Sequence, residues 1–279
     1  HTPVQELVSE LSLRKSVRVY VKRDDLLDPW VMGNKWRKLK YNVLEAYENG
    51  FNTLLTFGGA YSNHILATAA AGKHLHFNTI GVIRGEELHE HSNETLSAAH
   101  ELGMRFHFVN RDVYRMRTEA DFHNRLRDLF GRIYIIPEGG NNAEAIKGVA
   151  EMVATLPQTY DYYTCSCGTG STAAGIASKV SHEAKVVVFP ALHQVKEQRD
   201  LVRSYSDGVR VVFSMDYVFG GYAKHNEPLS KFMQEFPLPL DTVYTSKLFY
   251  GVYDLLEKDY FASNSSLLIY HSGGYRVRK

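Results

Sequence analysis

The chain has 279 residues, with 32 Lys+Arg against 31 Asp+Glu and a formal net charge of +1. So even a balance leaves no electrostatic footprint for nucleic acid or an anionic membrane surface. Hydrophobic residues at 44% and charged residues at 23% suit a globular chain of one large domain or two modest ones. In chain order, strands are expected at 17–21, 53–57, 79–83, 105–109, 133–136, 162–165, 186–189, 209–212 and 267–270. Helices are expected between and after them, at 35–48, 63–72, 93–102, 119–130, 143–155, 171–180, 194–205 and 246–258. In the first of these, Trp36, Leu39, Val43 and Tyr47 recur at helical spacing and Asn49-Gly50 ends the run. Repeated strand-then-helix order argues for parallel sheets with covering helices. Gly58-Gly59 and Gly139-Gly140 each follow a strand, and the block between them holds about three strand–helix units. The expected organisation is a larger domain of residues 1–50 plus 137–279 and a smaller inserted α/β domain of residues 51–136; one continuous sheet is the plainer alternative.

Lys35 stands out in this order. It lies in Gly33-Asn34-Lys35-Trp36-Arg37-Lys38-Leu39, after a strand and the charged run Lys22-Arg23-Asp24-Asp25. A lysine desolvated in the first turn of a helix suits imine formation with an aldehyde, whereas the plain reading is a solubilising surface lysine. Lys38, three residues on, shares a face with it and suits an anion. Further along, Gly58-Gly59-Ala60-Tyr61-Ser62-Asn63-His64 leads into an alanine-rich helix. Ser62 or Asn63 caps that helix, whose start favours a carboxylate. A plain cap explains one of those two residues and leaves the rest of the polar trio unused.

The run Cys167-Gly168-Thr169-Gly170-Ser171-Thr172-Ala173-Ala174-Gly175 follows a strand and opens a helix. Hydroxyls and N–H groups there make a cup for phosphate, the alternative being tight helix–strand packing. It has neither the lysine of a Walker loop nor the spacing of a dinucleotide fingerprint. Cys165 and Cys167 stand one residue apart, too close for an ordinary bridge. With no secretory pattern at the start and no apolar run of about 18 residues, the expectation is a reduced, cytoplasmic protein. No zinc or EF-hand spacing occurs, so no metal is expected. Tyr222 and Tyr244 are two of 18 tyrosines, and His271-Ser272-Gly273-Gly274 follows the last strand, where a hydroxyl can reach a ligand.

Eight motifs in register carry a resemblance over nearly the whole chain. They are Thr2-Pro3-Val4, Lys22-Arg23-Asp24-Asp25, Gly33-Asn34-Lys35-x-Arg37-Lys38-Leu39, Gly59-x-x-Ser62-Asn63-His64, Ile136-Pro137-x-Gly139-Gly140, the 169–175 loop, Val243-Tyr244-Thr245-x-Lys247 and His271-Ser272-Gly273-Gly274. Together they resemble the fold type II pyridoxal phosphate enzymes, the tryptophan synthase β family. Within it they resemble the branch of 1-aminocyclopropane-1-carboxylate deaminase and D-cysteine desulfhydrase.

The resemblance implies an α/β fold of two three-layer domains with mostly parallel sheets. It also implies pyridoxal 5'-phosphate as cofactor, a small amino-acid substrate and a homodimer. Lys35 would join the cofactor as an imine and act as base. Asn63 would bond its phenolic oxygen, and Lys38 with the backbone of Thr169, Gly170, Ser171 and Thr172 would hold its phosphate. Ser62, beside Asn63 and His64, would receive the substrate carboxylate. Tyr222 and Tyr244 would line the substrate face and assist proton movement, and Ser272 would face the pyridine nitrogen.

Within the branch, the deaminases resemble Ser-Asn-Gln, Tyr-Glu and His-Leu-Gly-Gly, and the desulfhydrases Ser-Asn-His, Tyr-Thr and His-Thr-Gly-Gly. Ser62-Asn63-His64, Tyr244-Thr245 and His271-Ser272-Gly273-Gly274 side with the desulfhydrases, with Ser for Thr at 272. A neutral hydroxyl by the ring nitrogen leaves it largely unprotonated, which suffices when a thiolate departs from the β-carbon. The implied reaction is elimination to pyruvate, ammonia and sulfide. Cyclopropane deamination and a non-catalytic cofactor-binding or carrier protein are the alternatives. Two stretches depart from the pattern: Gly220-Gly221-Tyr222-Ala223-Lys224-His225-Asn226 where Gly-x-Tyr-Gly-x-Pro-Asn is usual, and Tyr61 where Gln is common.

Overall fold

The computed structural model describes residues 1–28 and 30–274. In chain order its elements are β1 (Val4–Glu6), α1 (Glu10–Arg14), β2 (Arg18–Arg23), α2 (Asn34–Glu48), β3 (Thr53–Gly59), α3 (Asn63–Leu75), β4 (Asn78–Arg84), α4 (Glu94–Glu101), β5 (Met104–Val109), α5 (Arg111–Arg115), α6 (Ala120–Phe130), β6 (Tyr134–Ile136), α7 (Ala143–Ala154), β7 (Tyr162–Cys167), α8 (Ser171–Ala177), β8 (Lys185–Pro190), α9 (Lys196–Tyr205), β9 (Arg210–Phe213), α10 (Glu227–Glu235), α11 (Thr245–Glu257) and β10 (Ser266–His271). All nine expected strands and all eight expected helices are present. The structure adds β1, α1, α5 and α10.

Two compact units divide the chain: His1–Asn34 with Val149–Lys279, and Lys35–Gly148. The division falls at 34/35 and 148/149, where the sequence reading draws it at 50/51 and 136/137. The reason lies in α2. Its Asn42 and Glu45 accept hydrogen bonds from Tyr134 of β6 at 3.3 and 2.7 Å, and Asn42 bonds Asn142 just before α7.

The Lys35–Gly148 unit holds a four-stranded parallel sheet in the order β5-β4-β3-β6. Alternate residues of β3 face opposite sides. Leu55 and Phe57 join Tyr114, Phe122 and Leu126 in one apolar cluster, while Thr56 meets His64 of α3. Helices therefore cover both faces, as the uninterrupted burial of 54–58 requires.

The other unit holds a six-stranded sheet in the order β1-β2-β10-β7-β8-β9. It is parallel except for β1, which pairs antiparallel with β2. Val17, Val19 and Val21 pack with Leu248, Phe249 and Val252 of α11. The opposite face of β2 presents Tyr20, whose ring meets Tyr160. The carboxyl end of β2 is tied to its neighbours: Tyr270 of β10 donates to Asp24 at 2.7 Å, and Thr2 donates to the other Asp24 oxygen. In each unit the polar motifs lie just beyond the carboxyl ends of parallel strands, the place where open α/β sheets present ligand-binding loops. No helix among the described residues is long and apolar enough to cross a membrane.

Candidate active site

In the Lys35–Gly148 unit the geometry starts with α2 and the loop after β6. Lys35 is the second residue of α2 and is half-buried. Burial pushes its ammonium down to about 8, while the Glu138 carboxylate pulls it the other way. Glu138 is itself held, accepting from the Tyr114 hydroxyl at 2.9 Å and from Arg117 Nε at 2.6 Å. Lys38 is buried and donates to the Gly139 carbonyl at 3.3 Å. Gly140 closes the corner with φ +66; a Cβ there would stand 3.2 Å from Lys38 Cβ and 3.4 Å from His64 Cε1.

His64 follows the N-cap of α3, where the Ser62 hydroxyl accepts from the Ile65 N–H at 3.4 Å and Asn63 is the first helical residue. The imidazole state follows from counting protons. Thr56 donates its single hydroxyl proton to the Ile136 carbonyl at 2.9 Å. Its oxygen therefore accepts from His64 Nε2–H at 3.0 Å, and Nδ1 keeps a bare lone pair. That Nδ1 is buried and has no hydrogen-bond partner among the described residues. Burial, then the charges of Lys35 and Lys38, hold the ring neutral, well below its ordinary pKa.

The other unit presents hydroxyls. β7 ends at Cys167, and the turn Gly168-Thr169-Gly170 leads into α8, whose start no side chain caps. Gly170 takes φ +101, a conformation L residues rarely adopt. The Thr169 hydroxyl is buried and has no protein partner among the described residues. Thr172 accepts from the Asn34 side-chain amide at 3.2 Å, and the Asn34 backbone N–H donates to the Ser272 carbonyl at 3.1 Å. Any Cβ on Gly33, at φ +49, would sit 1.9 Å from that same carbonyl oxygen. The residue that precedes Lys35 is thus fixed to both the 169–172 turn and the Ser272 strand end.

Ser272 Oγ lies 3.5 Å from Ser166 Oγ. The preceding His271 accepts from Gly273 N–H at Nδ1, so its Nε2–H donates to the Pro239 carbonyl at 2.9 Å. It too is neutral, pushed down by burial against the pull of Asp25. Tyr222 and Tyr244 meet edge to face, ring centroids 6.2 Å apart, with their hydroxyls hydrogen-bonded. Burial first, then Tyr222 and Asp241, push the Tyr244 phenol well above its ordinary pKa. A Cβ on Gly168 would come within 3.3 Å of that phenol oxygen, so the tyrosine pair stands over the start of the turn.

The predicted residues therefore fall into two sets. Lys35, Lys38 and His64 come together in one unit, where Ser62 and Asn63 open α3. Thr169, Gly170, Ser171, Thr172, Tyr222, Tyr244 and Ser272 lie on the loops of the other. Sequence reasoning passed over Asn34, Thr56 and Glu138. Glu138 filled the unassigned place of Pro137-x-Gly139-Gly140, and a carboxylate in a glycine loop after a strand was the available signal. Cys165 and Cys167 are buried thiols outside any disulfide among the described residues. No group of three or more His, Cys, Asp or Glu that could hold a metal occurs among the described residues.

A family model described as "Pyridoxal-phosphate dependent enzyme" matches residues 1–228. The chain is 33% identical over 297 residues to a Pyrococcus abyssi protein named "Putative 1-aminocyclopropane-1-carboxylate deaminase", covering 98% of this chain and 89% of that protein. It is 28% identical to the mitochondrial "Bifunctional D-cysteine desulfhydrase/1-aminocyclopropane-1-carboxylate deaminase" of Arabidopsis thaliana, over 94% of this chain and 73% of that one. A solved structure described as an "ACC deaminase homologue" superimposes with a TM-score of 0.81 at 26% identity, covering 98% of this chain and 89% of that chain.

Proposed function

We propose, from the premise that this chain belongs to the pyridoxal-phosphate dependent enzyme family, that it is a D-cysteine desulfhydrase-like lyase. In this reading one D-cysteine and one water give pyruvate, ammonia and sulfide. The residues present fit the cofactor. A buried Thr169 hydroxyl with no protein partner among the described residues and a turn without a side-chain cap suit its phosphate, and an amine with pKa near 8 suits its aldehyde. Lys35, Lys38, Asn63, Ser272 and the Thr169, Gly170, Ser171 and Thr172 turn would hold it. When bound, it withdraws electrons from the α-carbon of an amino acid joined to it.

The protein residues supply the rest. Lowering Lys35 from 10.5 to about 8 raises its free-amine fraction at neutral pH by about two orders of magnitude. Free Nζ is the base that takes the α-proton. The Ser62 hydroxyl and the N-terminus of the 13-residue α3 receive the substrate carboxylate. Neutral His64 offers Nδ1 as an acceptor beside them. Tyr244 stays protonated throughout the physiological range and, with Tyr222, offers a hydrogen bond to the departing sulfur. A homodimer and a cytoplasmic setting complete the reading; two buried cysteines kept as thiols support the latter.

The observation that carries desulfhydration over ring opening is at Thr245. The deaminase pattern has glutamate there. Here the Thr245 hydroxyl and N–H both bond the Asp241 carboxylate, at 2.7 and 2.9 Å. No carboxylate extends from position 245 toward a ring nitrogen, which favours a readily departing β-group over a strong electron sink. The names of the Pyrococcus and Arabidopsis relatives support the second reading, 1-aminocyclopropane-1-carboxylate deaminase. A keto-acid assay separates the two. Pyruvate and sulfide from D-cysteine are expected; 2-oxobutyrate from the cyclopropane substrate at comparable kcat/KM would reverse the ranking. Cofactor binding with no turnover of any amino acid would leave a carrier.

A further inference from the structure

Lys247 carries no role in the reaction just described. It lies in α11, one turn after Tyr244, and is 1% exposed. Its Nζ donates to the carbonyls of Val218 at 2.7 Å and Gly221 at 2.6 Å. Between and just after those carbonyls the backbone is left-handed at four residues: Phe219 (φ 52), Gly220 (φ 83), Gly221 (φ 122) and Ala223 (φ 55). Phe219 and Ala223 carry a Cβ that disfavours this conformation. Tyr222 sits inside the segment and is 47% exposed, so burial does little to fix it. A buried ammonium is costly, and an apolar side chain of similar volume would fill the space more cheaply. Spending it on two loop carbonyls makes sense where the shape of that loop matters.

We infer that Lys247 is a positioning residue, a latch that holds the 218–223 turn so that the Tyr222 hydroxyl stays on the Tyr244 hydroxyl. Both ends of the arrangement start from α11, Tyr244 at its N-cap and Lys247 one turn in. The helix therefore sets the distance between the two phenols. The catalytic consequence rests on the proposed role of the tyrosine pair; the latch itself does not.

The test uses cofactor-loaded wild type, Lys247→Met, Lys247→Gln, Tyr222→Phe and the Lys247→Met/Tyr222→Phe double variant. Amide hydrogen exchange should rise about tenfold or more across 218–224 in Lys247→Met while β7 and β10 keep their protection. With D-cysteine, kcat should fall about tenfold with KM nearly unchanged, and Lys247→Gln, which keeps a donor, should recover part of both losses. In the Tyr222→Phe background Lys247→Met should cost little more, because it acts through that phenol. Unchanged exchange at 218–224, or exchange accelerated equally in β7 and β10, would overturn the latch. If the loop loosens while Tyr222→Phe alone turns over normally, the catalytic role of the tyrosine is what fails.

Discussion

The two regions that carry the motifs are built from different groups. Around Lys35 the titratable groups gather: two lysines, an imidazole with a bare Nδ1, and one carboxylate, Glu138, restrained by Tyr114 and Arg117. Around Gly168 stand hydroxyls: Thr169, Thr172, Ser166, Ser272 and the two tyrosines. The first region has an amine that titrates near neutrality. In the second, the Tyr244 phenol is pushed well above its ordinary range and His271 is held neutral. Any pH dependence between about 7 and 9 should therefore trace to Lys35 and its neighbours. The hydroxyl region should contribute affinity and geometry.

Removing the amine is the largest break. Lys35→Met should lower turnover of D-cysteine by about a thousandfold or more and abolish the yellow colour of the cofactor-loaded protein. The same variant has a second, opposite signature. Lys35 has a folded pKa of about 8 against an ordinary value of 10.5, so between those values the unfolded chain binds more protons. Its burial costs stability fully below 8, and the cost fades as pH rises toward 10.5. Cofactor-free Lys35→Met should then melt above wild type at pH 7, with the gain shrinking toward pH 10. A lower melting temperature at pH 7 would mean that the ammonium is not desolvated.

Thr169→Val tests the hydroxyl region. Its hydroxyl has no protein partner among the described residues, so the cofactor-free protein should melt at the wild-type temperature. Pyridoxal phosphate titration should nonetheless show affinity weakened by about 10- to 100-fold, the worth of one bond to a charged acceptor. Equal affinity would remove the phosphate from this turn. Glu138→Gln is smaller and has a definite sign. It keeps an acceptor for Tyr114 but loses the charge that raises the Lys35 pKa. The free-amine fraction should rise, and capture of pyridoxal phosphate by the cofactor-free protein at pH 7 should quicken by about threefold. Slower capture would reverse the electrostatic account.

These contrasts track what the sequence could reveal. Central parallel strands were legible because burial on both faces makes them apolar runs, as in Val186-Val187-Val188-Phe189. β1 was not: Gln5 and Glu6 are exposed, and only antiparallel pairing with β2 makes the segment a strand. α5 is five residues long, too short for helical periodicity to register. α10 did offer a signal, Asn226 as cap with Pro228 in its first turn. Ser62 was legible as a helix cap because its hydroxyl accepts from the Ile65 N–H at the start of α3. Thr56 and Glu138 act through neighbours that only the fold supplies. Thr56 reaches the Ile136 carbonyl because β3 and β6 pair at that register. Glu138 meets Tyr114 and Arg117, more than twenty positions away in the chain.

The smallest effect lies in the hydroxyl region, at a position where the chain departs from the family pattern. Ala223 stands where glycine is usual, and its φ of 55 explains the preference. The left-handed conformation costs a residue with a Cβ about 1–2 kcal/mol. Replacing alanine by glycine loosens the unfolded chain and returns about 0.4–1 kcal/mol of that. The methyl group is exposed, so little packing is lost. Ala223→Gly should therefore stabilise the protein by about 0.5–1 kcal/mol, raising the melting temperature by about 1–3 °C. Because Lys247 still holds the Val218 and Gly221 carbonyls in this variant, kcat should stay within about twofold of wild type. A stabilised protein with kcat reduced about tenfold would mean that strain at 223, and not the lysine, keeps Tyr222 on Tyr244.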